Sequence, residues 1–231
     1  MTHGAGFPRP GRFYTSVTTL AVVEIAVDRY ALGPFQANCY LVRARRGAPE
    51  AAVIDPGDEA AQLRLELARS GARATAILVT HTDIDHVAAV ADLAEGTGAE
   101  VWAPAGELEA LQSGETRSGR VRPHDPAHAV SGGDSITVAG IEFEVIDVPG
   151  HSAGHVAFYA GGALFSGDLL FAGSVGRVDL AGGDWDTLID SVRRLADRYP
   201  PETIVFPGHG PQTTLGAELA RNPFLAELRV S

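Results

Sequence analysis

Four histidines and three aspartates stand where this chain could do chemistry. His81, Asp83, Asp85 and His86 lie in Thr80-His81-Thr82-Asp83-Ile84-Asp85-His86, His151 follows Pro149-Gly150, Asp168 follows Ser166-Gly167, and His209 sits in Pro207-Gly208-His209-Gly210. Imidazole and carboxylate together are a donor set for zinc, and also for iron or manganese. Each group follows a short strand-like run, so small residues would turn the chain and project the ligand at a sheet edge. His81 and Asp83 are two apart and would share one face of an extended loop. Asp85 and His86 would open a helix, where backbone N–H groups orient a carboxylate. A polar surface loop would explain Asp85 alone, but not two histidines around two aspartates after a buried strand. A fifth stretch, Asp55-Pro56-Gly57, would support the other groups.

The elements that must hold these residues can be read from apolar runs and turn residues. Leu20–Val27, Asn38–Arg43 and Ala51–Ile54 are expected strands, separated by Gly33-Pro34 and Gly47-Ala48-Pro49. Asp58–Arg69 has helical spacing in Ala61, Leu65 and Ala68 and is stopped by Gly71. Ala76–Val79 is a buried strand leading to His81, Val87–Glu95 a helix stopped by Gly96, Glu100–Ala103 a strand and Gly106–Gln112 a short helix. The polar stretch from Ser113 to Gly133 reads as a long loop, with His124 and His128 in it. Strands resume at Ser135–Val138, Ile141–Val148, Val156–Tyr159 and Ala163–Phe165. Trp185–Arg198 is an amphipathic helix with Leu188, Val192 and Leu195 on one face. Thr203–Phe206 is a last strand, and Leu215–Leu228 a helical segment broken at Asn222-Pro223. Two mixed halves in this order suit two sheets packed face to face with helices outside.

Composition narrows the function. The 231 residues, 45% hydrophobic, are enough for one large domain over 19–231 behind a loose Gly/Pro-rich tail at 1–18. A net charge of −11 argues against nucleic acid and anionic membrane as partners. All 18 basic residues are arginine, so no lysine can serve as base or Schiff-base former. The single cysteine, Cys39, excludes an internal disulfide and a cysteine-rich zinc site, and reads as a small buried hydrophobe. No apolar run reaches a membrane span and no signal core precedes the first strand, so a cytoplasmic location is expected.

The residues resemble the metallo-β-lactamase fold hydrolases, and among them the glyoxalase II-like branch. The common motif His-x-His-x-Asp-His stands here as His81-Thr82-Asp83-Ile84-Asp85-His86. The resemblance extends to Gly33-Pro34-Phe35-Gln36-Ala37-Asn38-Cys39-Tyr40-Leu41, to Gly173-Ser174-Val175-Gly176-Arg177-Val178-Asp179-Leu180 and to Asn222-Pro223-Phe224-Leu225. It implies an α/β fold, a four-layer αββα sandwich with metals at one edge. It further implies two ions, zinc or else iron or manganese. His81 and His151 would bind the first, with Asp83 where the family has its second histidine; Asp85, His86 and His209 would bind the second, and Asp168 would bridge. Asp55 would sit behind the ligand loop, and Asp85 and Asp168 would be the catalytic carboxylates. The implied reaction is hydrolysis of a small thioester or ester by metal-activated water, with Arg177 and Arg221 as candidates to meet an anionic thiol carrier. Two alternatives stand beside it: a persulfide dioxygenase-like enzyme with one iron on His81, His151 and Asp168, and a weakened metal-binding module.

Overall fold

In strand Ala37–Arg43, Cys39 and Leu41 face one apolar cluster while Tyr40 and Val42 face another, and all four are buried. A strand with both faces covered lies inside a layered fold. The computed structural model describes residues 25–229. The expected tail at 1–18, and residues 20–24 of the first expected strand, lie outside the described residues.

The first sheet is built from β1 (Ala26–Leu32), β2 (Ala37–Arg43), β3 (Glu50–Ile54), β4 (Arg73–Leu78) and β5 (Glu100–Pro104). After a small hairpin of β6 (Glu115–Thr116) and β7 (Gly119–Arg120), β8 (His128–Val130) closes its far edge. The second sheet takes β9 (Ser135–Val138), β10 (Ile141–Asp147), β11 (Val156–Ala160) and β12 (Ala163–Gly167). A ribbon of β13 (Leu170–Phe171) and β14 (Ser174–Val175) follows, and then β15 (Ile204–Pro207) and β16 (Thr213–Thr214). The sheet orders are β1-β2-β3-β4-β5-β8 and β16-β15-β12-β11-β10-β9.

The helices are α1 (Ala60–Ser70), α2 (Ile84–Val87), α3 (Val90–Thr97), α4 (Leu108–Ser113), α5 (Trp185–Arg198) and α6 (Leu215–Arg221). Leu63, Leu67, Val90 and Leu93 of α1 and α3 pack on the outer face of the first sheet. Phe143, Phe158, Phe165 and Phe206 meet Tyr40, Val42, Ile54 and Leu78 between the sheets. Leu188, Val192 and Leu195 of α5, with Leu215, pack on Leu164 and Val205. Helix, sheet, sheet, helix is the αββα sandwich expected.

Some elements depart from the sequence reading. The stretch 113–133 is not one loop. His128 pairs with Glu100 at 2.9 Å and stacks on Trp102 with ring centroids 3.7 Å apart, holding β8 against β5. The helix expected at Val87–Glu95 is two helices, because the N–H of Ala89 donates to the carbonyl of Pro56 at 3.0 Å instead of continuing the turn. Its stop is Gly98, in the left-handed conformation, with Gly96 still helical. β1 runs on to Leu32 through the charged pair Asp28-Arg29, since Asp28 pairs with Arg43 and Arg29 reaches the carbonyl of Gly210 at 2.6 Å.

Candidate metal centre

β4 runs into Thr80, whose N–H and hydroxyl both donate to Asp55, at 2.8 and 2.7 Å. Nδ1–H of His86 donates to the same carboxylate at 3.2 Å, and Nδ1–H of His81 to the Thr80 hydroxyl at 3.0 Å. Asp55 thus fixes one ring directly and the other through Thr80. Both rings then turn Nε2 toward the cluster. These two Nε2 atoms and Oδ1 of Asp168 are buried without a hydrogen-bond partner. Such atoms cost about 1–3 kcal/mol each when left bare, and metal ions, one at each imidazole with Asp168 between them, are groups that would satisfy all three.

The second sheet supplies the other three residues, one from each of three strand ends. His151 follows β10; its Nδ1–H donates to the carbonyl of Arg177 at 2.7 Å, and its Nε2 lies 3.8 Å from Asp168. Asp168 follows β12 and approaches Nε2 of His86 at 3.3 Å. His209 follows β15 and lies 3.2 Å from Asp85 and 3.5 Å from Asp168. Only glycine fits at 208, because a Cβ there would stand 2.0 Å from Oδ1 of Asp168. Residues of the first sheet hold this last loop: Asn38 donates to the carbonyls of Pro207 and Gly210 at 2.8 and 2.9 Å, and Tyr40 to that of Pro207 at 2.6 Å.

The seven residues expected from sequence therefore converge. His81 with His151 and Asp168, and Asp85 with His86 and His209, form two groups whose ligand atoms lie within 4.8 Å of one another. A third grouping, Asp55 with His81 and His86, is met by an Asp55 already engaged by Thr80 and His86. The field of the site favours cations. Burial opposes a charge on His209, yet the carboxylates of Asp168 and Asp85 push its pKa up to about 9. Burial likewise opposes a charged Asp168, but the imidazoles around it hold its carboxyl well below the usual range.

Asp83 stands outside those groups. Its carboxylate is gripped by Arg117 from the β6–β7 turn, Nε to Oδ1 at 2.7 Å and Nη2 to Oδ2 at 2.8 Å. The same Nη2 lies 2.7 Å from Nε2 of His151, and Nη1 donates to the carbonyls of His151 and Ala181 at 2.5 and 3.2 Å. Burial pushes the Asp83 carboxyl up, but the neighbouring His151 ring and the Arg117 fork hold it well below the usual range. Sequence reasoning did not find Arg117. It also missed Glu107, which accepts from the N–H and hydroxyl of Thr82 at 2.6 and 2.7 Å and from the Ser152 hydroxyl, joining the loops of His81 and His151.

The remaining candidates lie apart from the cluster or behind it. The Arg177 guanidinium is exposed and forked onto Asp179, with both bonds at 2.6 Å. Arg221 is exposed in the last turn of α6 and makes no ion pair with the cluster among the described residues. His155 is buried against the His81 ring, centroids 4.8 Å apart, with neither nitrogen bonded. Cys39 is fully buried, and burial pushes its thiol pKa up, away from nucleophilic use.

A family description of the metallo-beta-lactamase superfamily matches residues 32–209. The chain belongs to that superfamily. Its glyoxalase II-like character appears in hydroxyacylglutathione hydrolase GloC of Haemophilus influenzae, 34% identical over 202 residues that cover 83% of this chain and 93% of the relative. Among solved structures, that of BLEG-1 B3 metallo-beta-lactamase superposes with a TM-score of 0.80 at 35% identity, covering 87% of this chain and 99% of that one. TTHA1623 in a di-iron-bound form gives a TM-score of 0.75 at 43% identity, covering 85% and 99%. The chain is a member of a metallo-hydrolase superfamily whose histidines and aspartates can hold metal. No helix among the described residues is long and apolar enough to cross a membrane.

Proposed function

We propose that the protein is a metal-dependent thioesterase that hydrolyses small acyl-thiols of the hydroxyacylglutathione kind. The observation that carries this is the pair of buried, unpartnered Nε2 atoms of His81 and His86 facing the shared carboxylate of Asp168. His81, His151 and Asp168 would hold one ion, and Asp85, His86 and His209 with Asp168 a second. When bound, such ions supply Lewis acidity and a water acidified to near neutral pKa. Zinc suits these donors; the di-iron-bound relative brings iron into the same choice.

The protein's own part is to orient and to move protons. Asp55 keeps the His86 and His81 rings in the tautomer whose Nε2 faces the cluster. Asp85, a partly exposed carboxylate of the cluster, would take a proton from the attacking water. Beside it Leu32, Pro34, Phe35, Ile84 and Ala88 line an apolar cavity of about 150 Å³, with Phe35 64% exposed. That surface suits a small acyl group, and the exposed rim leaves room for its thiol carrier.

The test is turnover of S-lactoylglutathione, of a short acyl-CoA and of a β-lactam by protein of known metal content, before and after chelation. Thioester hydrolysis lost on chelation and restored by metal is expected. Hydrolysis of the β-lactam alone would place the chain with the lactamases and defeat the reading. Iron-dependent oxygen uptake without hydrolysis would defeat it in favour of the dioxygenase.

A further inference from the structure

The Arg117 guanidinium makes five close polar contacts, four of them to Asp83 and His151 and the fifth to the carbonyl of Ala181. Two go to Asp83 in a fork, two to backbone carbonyls, and one to Nε2 of His151. Nδ1–H of His151 is committed to the carbonyl of Arg177, so Nε2 offers a single lone pair. Arg117 takes that lone pair at 2.7 Å, and Oδ2 of the Asp83 carboxylate it grips stands 3.1 Å from the same nitrogen. A metal ion held by His81, His151 and Asp168 needs the same one. The pair is little screened, with side-chain exposures of 12% for Arg117 and 7% for Asp83. A guanidinium at this range also repels an incoming divalent ion. Among the described residues no arginine lies within ion-pair distance of Asp85, His86 or His209.

The geometry points to Arg117 as a resident cation of the first half of the site, which a metal ion must displace from His151 before it can bind there. Loading is then stepwise. The first ion goes to Asp85, His86, His209 and Asp168, and the second follows only at the expense of the Arg117 contact. Asp83 serves as the acceptor that parks the arginine. The hairpin that carries Arg117 is itself pinned to the ligand loop, since the Ser118 hydroxyl accepts from the N–H of Ile84 at 2.8 Å. The guanidinium therefore has a fixed origin from which to swing.

This inference rests on the metal reading above, and the two are separable by binding alone. Zinc is titrated into metal-free wild type and Arg117→Gln against a chelating indicator, with native mass spectrometry counting ions per chain. Wild type should bind one ion tightly and a second more weakly. Arg117→Gln should leave the first unchanged and tighten the second about 10- to 100-fold, the scale on which hydrogen-bond partners of ligands act. Equal affinities for the second ion in the two proteins would overturn the inference while leaving the metal reading intact. Failure of both proteins to bind any zinc would overturn both. If Arg117→Gln does not fold, Arg117→Lys keeps the charge and loses the fork. A second ion tighter than in wild type then supports the displacement, and an unchanged one overturns it.

Discussion

Among the described residues, Asp85, His86 and His209 meet across the sheet edge with no arginine paired to them, whereas Asp83 and His151, 3.1 Å apart, share an arginine. The two halves draw on the same loop after β4 and share Asp168. What separates them is one residue two places after His81. An anionic carboxylate in a buried place needs a cation, and a cation there competes with any metal. The comparison teaches that a substitution at a ligand position need not simply delete a ligand. It can bring in a partner, and the partner then changes what the remaining ligands are free to do.

The strongest way to break the comparison is to remove what the halves share. Asp168→Ala should lower thioester turnover by more than the ~10- to 100-fold typical of a ligand's hydrogen-bond partner, with the circular-dichroism spectrum unchanged. Near-wild-type turnover would mean that the two halves do not act through one carboxylate. Next comes a contrast in metal content. His86→Ala should lose the tight ion, while His151→Ala should keep about one ion per chain, and elemental analysis of the purified proteins reads both. Equal losses would erase the inequality. Asp55→Ala should weaken zinc about 10- to 100-fold, chiefly at the Asp85–His86–His209 half, because His86 bonds Asp55 directly and His81 only through Thr80. A loss confined to the other half would reverse that order. The smallest effect is expected at Arg177. Its fork is occupied by Asp179, so Arg177→Ala should change KM little, and alike for anionic and neutral thioesters. A selective rise for the anionic substrate would return the side chain to the role of a clamp.

The seven ligand candidates were legible because each is local. A histidine or aspartate directly after an apolar run and a small turn residue announces itself without tertiary information. The layers were legible for a similar reason, since the apolar run within Asn38–Arg43 and the Leu188–Val192–Leu195 stripe need only short windows. The hairpin β6–β7 and edge strand β8 were not, because two- and three-residue strands carry no periodicity and exist by pairing. His128 looked like a loop residue until Trp102 and Glu100 were beside it. Arg117 shared that blind region. Its one trace in the sequence is Asp83, an acid where the motif repeats an imidazole. Buried acids imply cations, but nothing local says which of the 18 arginines answers. Glu107, bolting two loops together, was hidden in the same way, by a contact that only the fold creates.

The loop that carries His209 is held by Asn38 and Tyr40, residues 169 and 167 positions earlier. A ribosome makes the chain from its N-terminus, so Asn38 and Tyr40 exist long before the carbonyls they bind. Until Pro207 emerges, the cluster lacks His209 and its loop. Closing such a distant contact is entropically slow and falls late in folding. Completion of the centre is then a consequence of finished folding and not its nucleus. Occupancy of the Asp85–His86–His209 half becomes a quality mark, carried only by molecules whose last strand has been made and docked.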